Sequence, residues 1–253
     1  MNIAVVGGTG TLGQRVVKQL RARGHIVRVL SRRSPEHAVD LTTGDGLAHA
    51  LTGCDVVVDA SNDLSRHADQ TLVQGARRLL AAEKAVGISH HLCVSIVGCD
   101  RAPVGYYGVK FAQERAVEEG TVPWSILRST QFHEFVARLF ASAARWSVLP
   151  VPRARLQTVA TAETAQAIAD ICERPPCLGR INIAGPEICT ARELALAWRK
   201  FSGRHAMLIE IPLPGKLGRA LREGALTTDR PDIRGKLGFR DWLAAQPGPD
   251  FLP

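Results

Sequence analysis

The chain has 253 residues, 45% of them hydrophobic and 22% charged, which is material for one large domain, or one domain with a small appendage, with a sizeable core. Its net charge of +8 comes mostly from arginine spread along the chain, without a lysine-rich tail, a zinc finger or aromatic–basic alternation, so nucleic acid is not an expected partner. No apolar run reaches the ~18 residues of a membrane span, and Met1 leads straight into apolar residues, so a cytoplasmic protein with no membrane partner is expected.

The first half alternates between two periodicities. NIAVV at 2–6 reads as a strand, and TLGQRVVKQLRARG as a helix with Leu12, Val16, Val17 and Leu20 on one face, closed by Gly24. HIVRVLSRR is a second strand, HAVDLT a poorer third and GDGLAHALTGC a short helix. DVVVDAS has the unbroken valines of a strand buried on both faces. Residues 66–86 read as one long helix, HHLCVSIVG as a strand, YYGVKFAQERAVEEG as a helix and WSILRST as a strand. This order predicts a doubly wound α/β fold with a parallel sheet.

From about residue 133 prolines break the rhythm, with helices expected at 162–173 and 190–202. In the second, Thr190 is the expected N-cap and Glu193 closes the capping box. A dinucleotide-binding domain over 1–150 and a smaller substrate-binding part over 151–253, packed on it, are the expected organisation. Cys54, Cys93, Cys99, Cys172, Cys177 and Cys189 form no C-x-x-C pair and read as reduced core residues. HEFVA at 133–137 lacks the second histidine of a zinc helix, and no metal site is read.

Gly7, Gly10 and Gly13 lie where the first strand turns into the first helix. A sharp turn, close approach of a pyrophosphate and tight helix packing each exclude a side chain there. The helix N-terminus would offer its free N–H groups to the phosphates, through Thr9, Gly10, Thr11, Leu12 and Gly13. The second strand ends in Ser31, Arg32 and Arg33 where an NAD site carries an acid, which favours NADP(H) over NAD(H). Ala60 and Ser61 end the fourth expected strand, at the edge where ligands of such sheets bind.

Tyr106 and Lys110 stand four residues apart on one helix face, with Ser95 eleven residues before the tyrosine. With the glycine turn, WSILRSTQFHEF and INIAGPEICTARELA, the chain resembles the short-chain dehydrogenase/reductase superfamily, in its atypical, NmrA-like branch. That resemblance implies a Rossmann domain and a catalytic Ser95, Tyr106 and Lys110. Tyr106 would act as the acid, Lys110 as ribose anchor and Ser95 as partner of the substrate carbonyl. It further implies that Asp45 meets the adenine, a position that would also suit a helix N-cap. Arg128, Thr130, Phe132 and His133 would line the substrate side, although Arg128 also reads as a surface charge and His133 as a helix-surface histidine. The expected activity is NADPH-dependent reduction of a small carbonyl or quinone-like molecule by a monomer or homodimer. A non-catalytic NADP(H) sensor and an NAD-dependent sugar-nucleotide epimerase or dehydratase are the alternatives.

Overall fold

The structure, a computed structural model, describes residues 1–248. In chain order the strands and helices are β1 (Asn2–Val6), α1 (Thr11–Ala22), β2 (Ile26–Leu30), α2 (Leu47–Leu51) and β3 (Val56–Asp59). Then come α3 (Gly75–Val86), β4 (His90–Ile96), α4 (Tyr106–Glu118), β5 (Trp124–Ser129), α5 (His133–Ala144), β6 (Val148–Pro152) and β7 (Arg155–Leu156). The chain continues through α6 (Thr161–Cys172), β8 (Arg180–Ala184), β9 (Cys189–Thr190), α7 (Ala191–Ser202), β10 (Met207–Ile211), α8 (Gly215–Arg222), β11 (Ile233–Arg234) and α9 (Phe239–Ala244).

Seven strands form one sheet in the order β11-β8-β5-β4-β3-β1-β2. The pairs β1–β2, β1–β3, β3–β4 and β8–β11 are parallel, as crossover helices between successive strands require. The order reverses beside β1, which has β2 on one side and β3 on the other. Ligands of open α/β sheets bind beyond the carboxyl ends of the strands at such a reversal. The expected doubly wound fold is therefore present.

The chain divides into two compact units. The first comprises 1–95, 103–128 and 164–181; the second comprises 96–102, 129–163 and 182–253. The first packs Ala4, Val6, Leu30, Val57, Leu79 and Ile126 into a common core. All four residues of β3 are buried, as its unbroken valines imply. In the second, Phe140, Trp198, Phe239 and Trp242 pack with aliphatic residues of α5, β6 and α7. Thr190 accepts a bond from the Glu193 N–H and Glu193 answers the Thr190 N–H, so the expected capping box forms.

Three expectations are corrected. HAVDLT is not a strand: the Asp40 carboxylate accepts bonds from the N–H and Oγ1 of Thr42, and the Asp40 N–H bonds to the Asp45 carbonyl. These local bonds close a turn and leave one bridge, between Ser31 and Ala38. The long helix over 66–86 begins instead with a wide π-type turn, Asp69–Gln74, before α3. Of the six cysteines, all free thiols, Cys177 is exposed and Cys189 half-buried; the other four are buried.

Candidate active site

The turn from β1 into α1 is built by steric necessity. Gly7 has φ +72°, and a Cβ there would lie 2.7 Å from the Ala60 carbonyl oxygen. A Cβ on Gly13 would collide with the Gly7 carbonyl oxygen. Gly10 is the looser member, at 3.2 Å from the same oxygen, and is the N-cap of α1. Gly8 belongs to the set too, since a Cβ there would meet the Val5 carbonyl oxygen at 2.9 Å. Sequence spacing missed Gly8, because its constraint comes from the packing of the strand and of Val29 rather than from the turn. Thr9, Gly10 and Thr11 are exposed while Leu12 and Gly13 are buried, so the turn is open to solvent above a packed base.

The end of β3 meets this turn. Ala60 and Ser61 are half-buried, and the Asp59 carboxylate accepts the Ser61 N–H at 3.0 Å. At the end of β2, the Ser31 hydroxyl accepts the Arg33 N–H, and the Arg32 and Arg33 side chains are exposed. Bonds from Thr42, together with the positive charge of Arg32, hold the Asp40 carboxyl below the usual carboxylate range. Asp45 is exposed but does not cap α2, whose N-cap is Gly46 in the left-handed region; that alternative is corrected.

Tyr106 opens α4 after Gly105, and its hydroxyl donates to Asn62 Oδ1 at 2.6 Å. Lys110, one turn on, is only 3% exposed. Its ammonium donates to the Val94 carbonyl at 2.8 Å and to Gln113 Oε1. Gln113 in turn donates through Nε2 to Asp59 Oδ2 at 2.9 Å. A buried ammonium needs a nearby acceptor network, and Asp59 supplies the negative charge through one neutral amide. Ser95 is buried on β4, the strand whose Val94 carbonyl holds Lys110. Asn62, Gln113 and Asp59 were not expected as site residues. Their only signal was position: Asp59 and Asn62 flank the end of β3, and Gln113 follows Lys110 by three on the helix.

Below this chain lies a second buried polar cluster. His91 Nδ1 lies 2.8 Å from Glu83 Oε1, with both side chains fully buried. Burial opposes a charge on His91, but the Glu83 carboxylate outweighs it and raises the imidazole well above its ordinary value. The neighbouring His90, bonded to Ser125 Oγ, is held down at about 4 by burial and then by the charge of His91. Asp59, His91 and Cys93 bring ligand-type atoms within 4.8 Å of one another. The Asp59 oxygens already serve Ser61 and Gln113, and burial raises the Cys93 thiol, so this donor set is poorly prepared for a cation.

The residues expected on the substrate side are placed differently. Arg128 is buried, and its guanidinium forms a two-pronged ion pair with Glu114 at 2.9 and 2.6 Å. Glu114 also takes Arg180 at 3.1 Å, so Arg128 is not the surface charge it resembled. Within the second unit, the Thr130 hydroxyl accepts the Gly185 N–H and Phe132 is the half-buried N-cap of α5. His133 is fully buried rather than on a helix surface. Its Nε2 bonds to the Leu237 carbonyl, and its ring lies against Phe239 and Trp242.

A parallel sheet with a side-chain-free turn at its order reversal, opening onto a helix N-terminus, defines a dinucleotide-binding protein. The chain belongs to the NAD(P)H-binding family, which it matches over residues 7–175. It is 27% identical to the ceramide reductase of Caulobacter vibrioides, over 99% of this chain and 87% of that protein. It is 24% identical to the chloroplastic protein High Chlorophyll Fluorescence Phenotype 244 of Arabidopsis thaliana, over 96% of this chain but only 66% of that relative's length. Among solved structures it resembles the NADPH complex of an Escherichia coli quinone oxidoreductase, with a TM-score of 0.78 and 19% identity. That likeness, over 96% of this chain and 98% of the other, is one of fold.

Proposed function

We propose that the protein is an NADPH-dependent reductase that passes hydride to a small carbonyl or quinone-like substrate. What supports this reading most is one compact unit in which the glycine turn packs against the end of β3, Tyr106 bonds to Asn62 just beyond that strand, and Lys110 bonds to β4, the strand that carries Ser95. In a Rossmann frame the dinucleotide's phosphates belong at the turn, against the N–H groups that open α1. Arg32 and Arg33 would pair with a 2′-phosphate, and Asp45 would face the adenine. Ala60 and Ser61 would border the bound cofactor.

When bound, NADPH supplies the hydride. The chain's residues would supply position, field and a proton. The Ser95 and Tyr106 hydroxyls would polarise the substrate oxygen, and Tyr106 Oη would give it a proton as negative charge develops. An unperturbed phenol titrates near ~10, too high for ready exchange at neutral pH. In the role the resemblance gives it, the positive charge of Lys110, one turn away, would favour the phenolate. Lys110's bonds to Val94 and Gln113 would hold the charge in place, and its remaining donor would face the ribose. The Asn62 carbonyl oxygen, which now accepts from Tyr106, would yield the hydroxyl to the substrate.

The sensor reading shares the cofactor site and differs in turnover. Equilibrium binding of NADPH and NADH, run beside NADPH oxidation with a panel of quinones and activated carbonyls, separates the two. The reductase reading expects binding that favours NADPH, and turnover with at least one class of acceptor. Tight NADPH binding with no oxidation across the panel would favour the sensor. Preference for NADH would overturn the roles given to Arg32 and Arg33.

A further inference from the structure

The second unit carries an outward face that the cofactor site does not use. On α5 and just beyond it, Phe135, Arg138, Leu139, Ser142, Arg145 and Trp146 are exposed. Their spacing puts them on one helical stripe, while Val136, Ala137, Phe140 and Ala144 face the core. Trp146 is 83% exposed, Leu139 52% and Phe135 45%. The stripe continues onto β10: the Met207 N–H bonds to the carbonyl of Ser147, next to Trp146, and Met207 is 61% exposed. Met207 in turn borders a groove lined by Arg199, Lys200, Arg204 and His205.

Charge decides what such a face fits. Across 135–155 and 196–222 the sequence holds one carboxylate, Glu210, and that residue is already paired with Arg153 and Arg192. A second copy docking symmetrically would set the cations of this face, Arg145 among them, against themselves. An anionic surface with an apolar interior suits both features. Arginine heads stay at the headgroup level while their stems lie along apolar atoms, and tryptophan prefers the same boundary. We infer that this α5–β10 face docks on a bilayer surface bearing anionic lipid headgroups, with Trp146, Leu139 and Phe135 entering the interface. That no helix among the described residues is long and apolar enough to cross a membrane does not bear on this, because the contact lies on the membrane rather than across it. The inference stands independently of the substrate of the first unit.

Flotation of the full chain with vesicles tests it, using phosphatidylcholine alone and phosphatidylcholine mixed with phosphatidylglycerol. We expect partition onto the anionic vesicles only, weakening as salt is raised. Trp146→Ala should lower the partition roughly tenfold, and Arg145→Ala about fivefold. Trp198 and Trp242 are buried and Trp124 is half-buried, so a blue shift of tryptophan emission on binding should vanish in Trp146→Phe. Unchanged melting temperatures of these variants would establish that they fold. Three results would overturn the inference: no partition at low salt, equal partition of wild type and Trp146→Ala, or a dimer in solution that Leu139→Ser dissolves.

Discussion

The turn from β1 into α1 and the start of α4 belong to the same compact unit, yet they hold their shapes by different means. At the turn, backbone meets backbone: Gly7 against Ala60, Gly8 against Val5, Gly13 against Gly7. Apart from the Val29 and Val17 side chains beside Gly8, no side chain takes part in those contacts, so the local order of glycines nearly determines the result. On α4 the polar groups are side chains held by other side chains and by one carbonyl of β4. Tyr106 depends on Asn62, Lys110 on Val94 and Gln113, and Gln113 on Asp59. Glu114, next on the same helix, is placed by Arg128 and Arg180. A site made of backbone tolerates neighbours that change but no added atom. A site made of buried polar side chains tolerates added atoms at its rim but not the loss of a partner.

Substitutions can break that contrast, and the largest effect is expected at the turn. Gly13→Val places side-chain atoms against the Gly7 carbonyl and closes the approach to the α1 N-terminus. NADPH affinity should fall by at least about a hundredfold, as measured by fluorescence titration, because the close backbone approach is lost. On α4 the corresponding break is Glu114→Gln, which takes the Glu114 charge away from the buried Arg128 guanidinium. We expect a loss of about 3–5 kcal/mol in urea unfolding. Replacing the pair together, as Glu114→Leu with Arg128→Met, should cost less than Glu114→Gln alone; a larger cost would make the ion pair itself the stabilising element.

A smaller effect sharpens the contrast through pH. His90 is neutral in the folded protein, with its pKa lowered from 6.5 to about 4. Between those values the unfolded chain binds more protons than the folded one, so stability falls as pH drops from about 6.5 toward 4. The contribution reaches up to about 3 kcal/mol. His90→Gln should flatten that part of the stability–pH curve, read from denaturation midpoints across the range. An unchanged slope would assign the acid loss to other groups. Smallest of all, Arg32→Ala should weaken NADPH by roughly tenfold and leave NADH nearly unaffected, since one exposed charge-assisted contact is removed. Equal losses for both nucleotides would move the 2′-phosphate contact elsewhere.

The same contrast explains what could be read from the chain before its structure. The strand–turn–helix at the N-terminus was legible because its determinants lie within residues 2–20: apolar strand, glycine spacing, helical stripe. The Thr190–Glu193 capping box was legible for the same reason. HAVDLT misled because Asp40 and Thr42 close a turn with their own side chains, and a local polar bond outweighs β-forming valine. The pairing of Tyr106 with Asn62 spans 44 residues, and that of Gln113 with Asp59 spans 54. Nothing in the spacing of either pair announces it; both follow from the strand order that brings β3 beside β4. Arg128 and His133 also read as surface residues, but Glu114 draws one inward and Leu237, Phe239 and Trp242 enclose the other.

The reductase reading rests on Tyr106 giving a proton while the bound nucleotide gives hydride. The most direct test is NADPH oxidation by wild type and Tyr106→Phe, with a carbonyl acceptor found active in the panel. Removing one hydroxyl leaves the ring, its contact with Tyr107 and the cofactor turn in place. We expect kcat to fall by about 10²–10⁴ with NADPH affinity unchanged. Full activity in Tyr106→Phe would contradict the role given to α4 and leave the protein a cofactor-binding fold whose chemistry lies elsewhere.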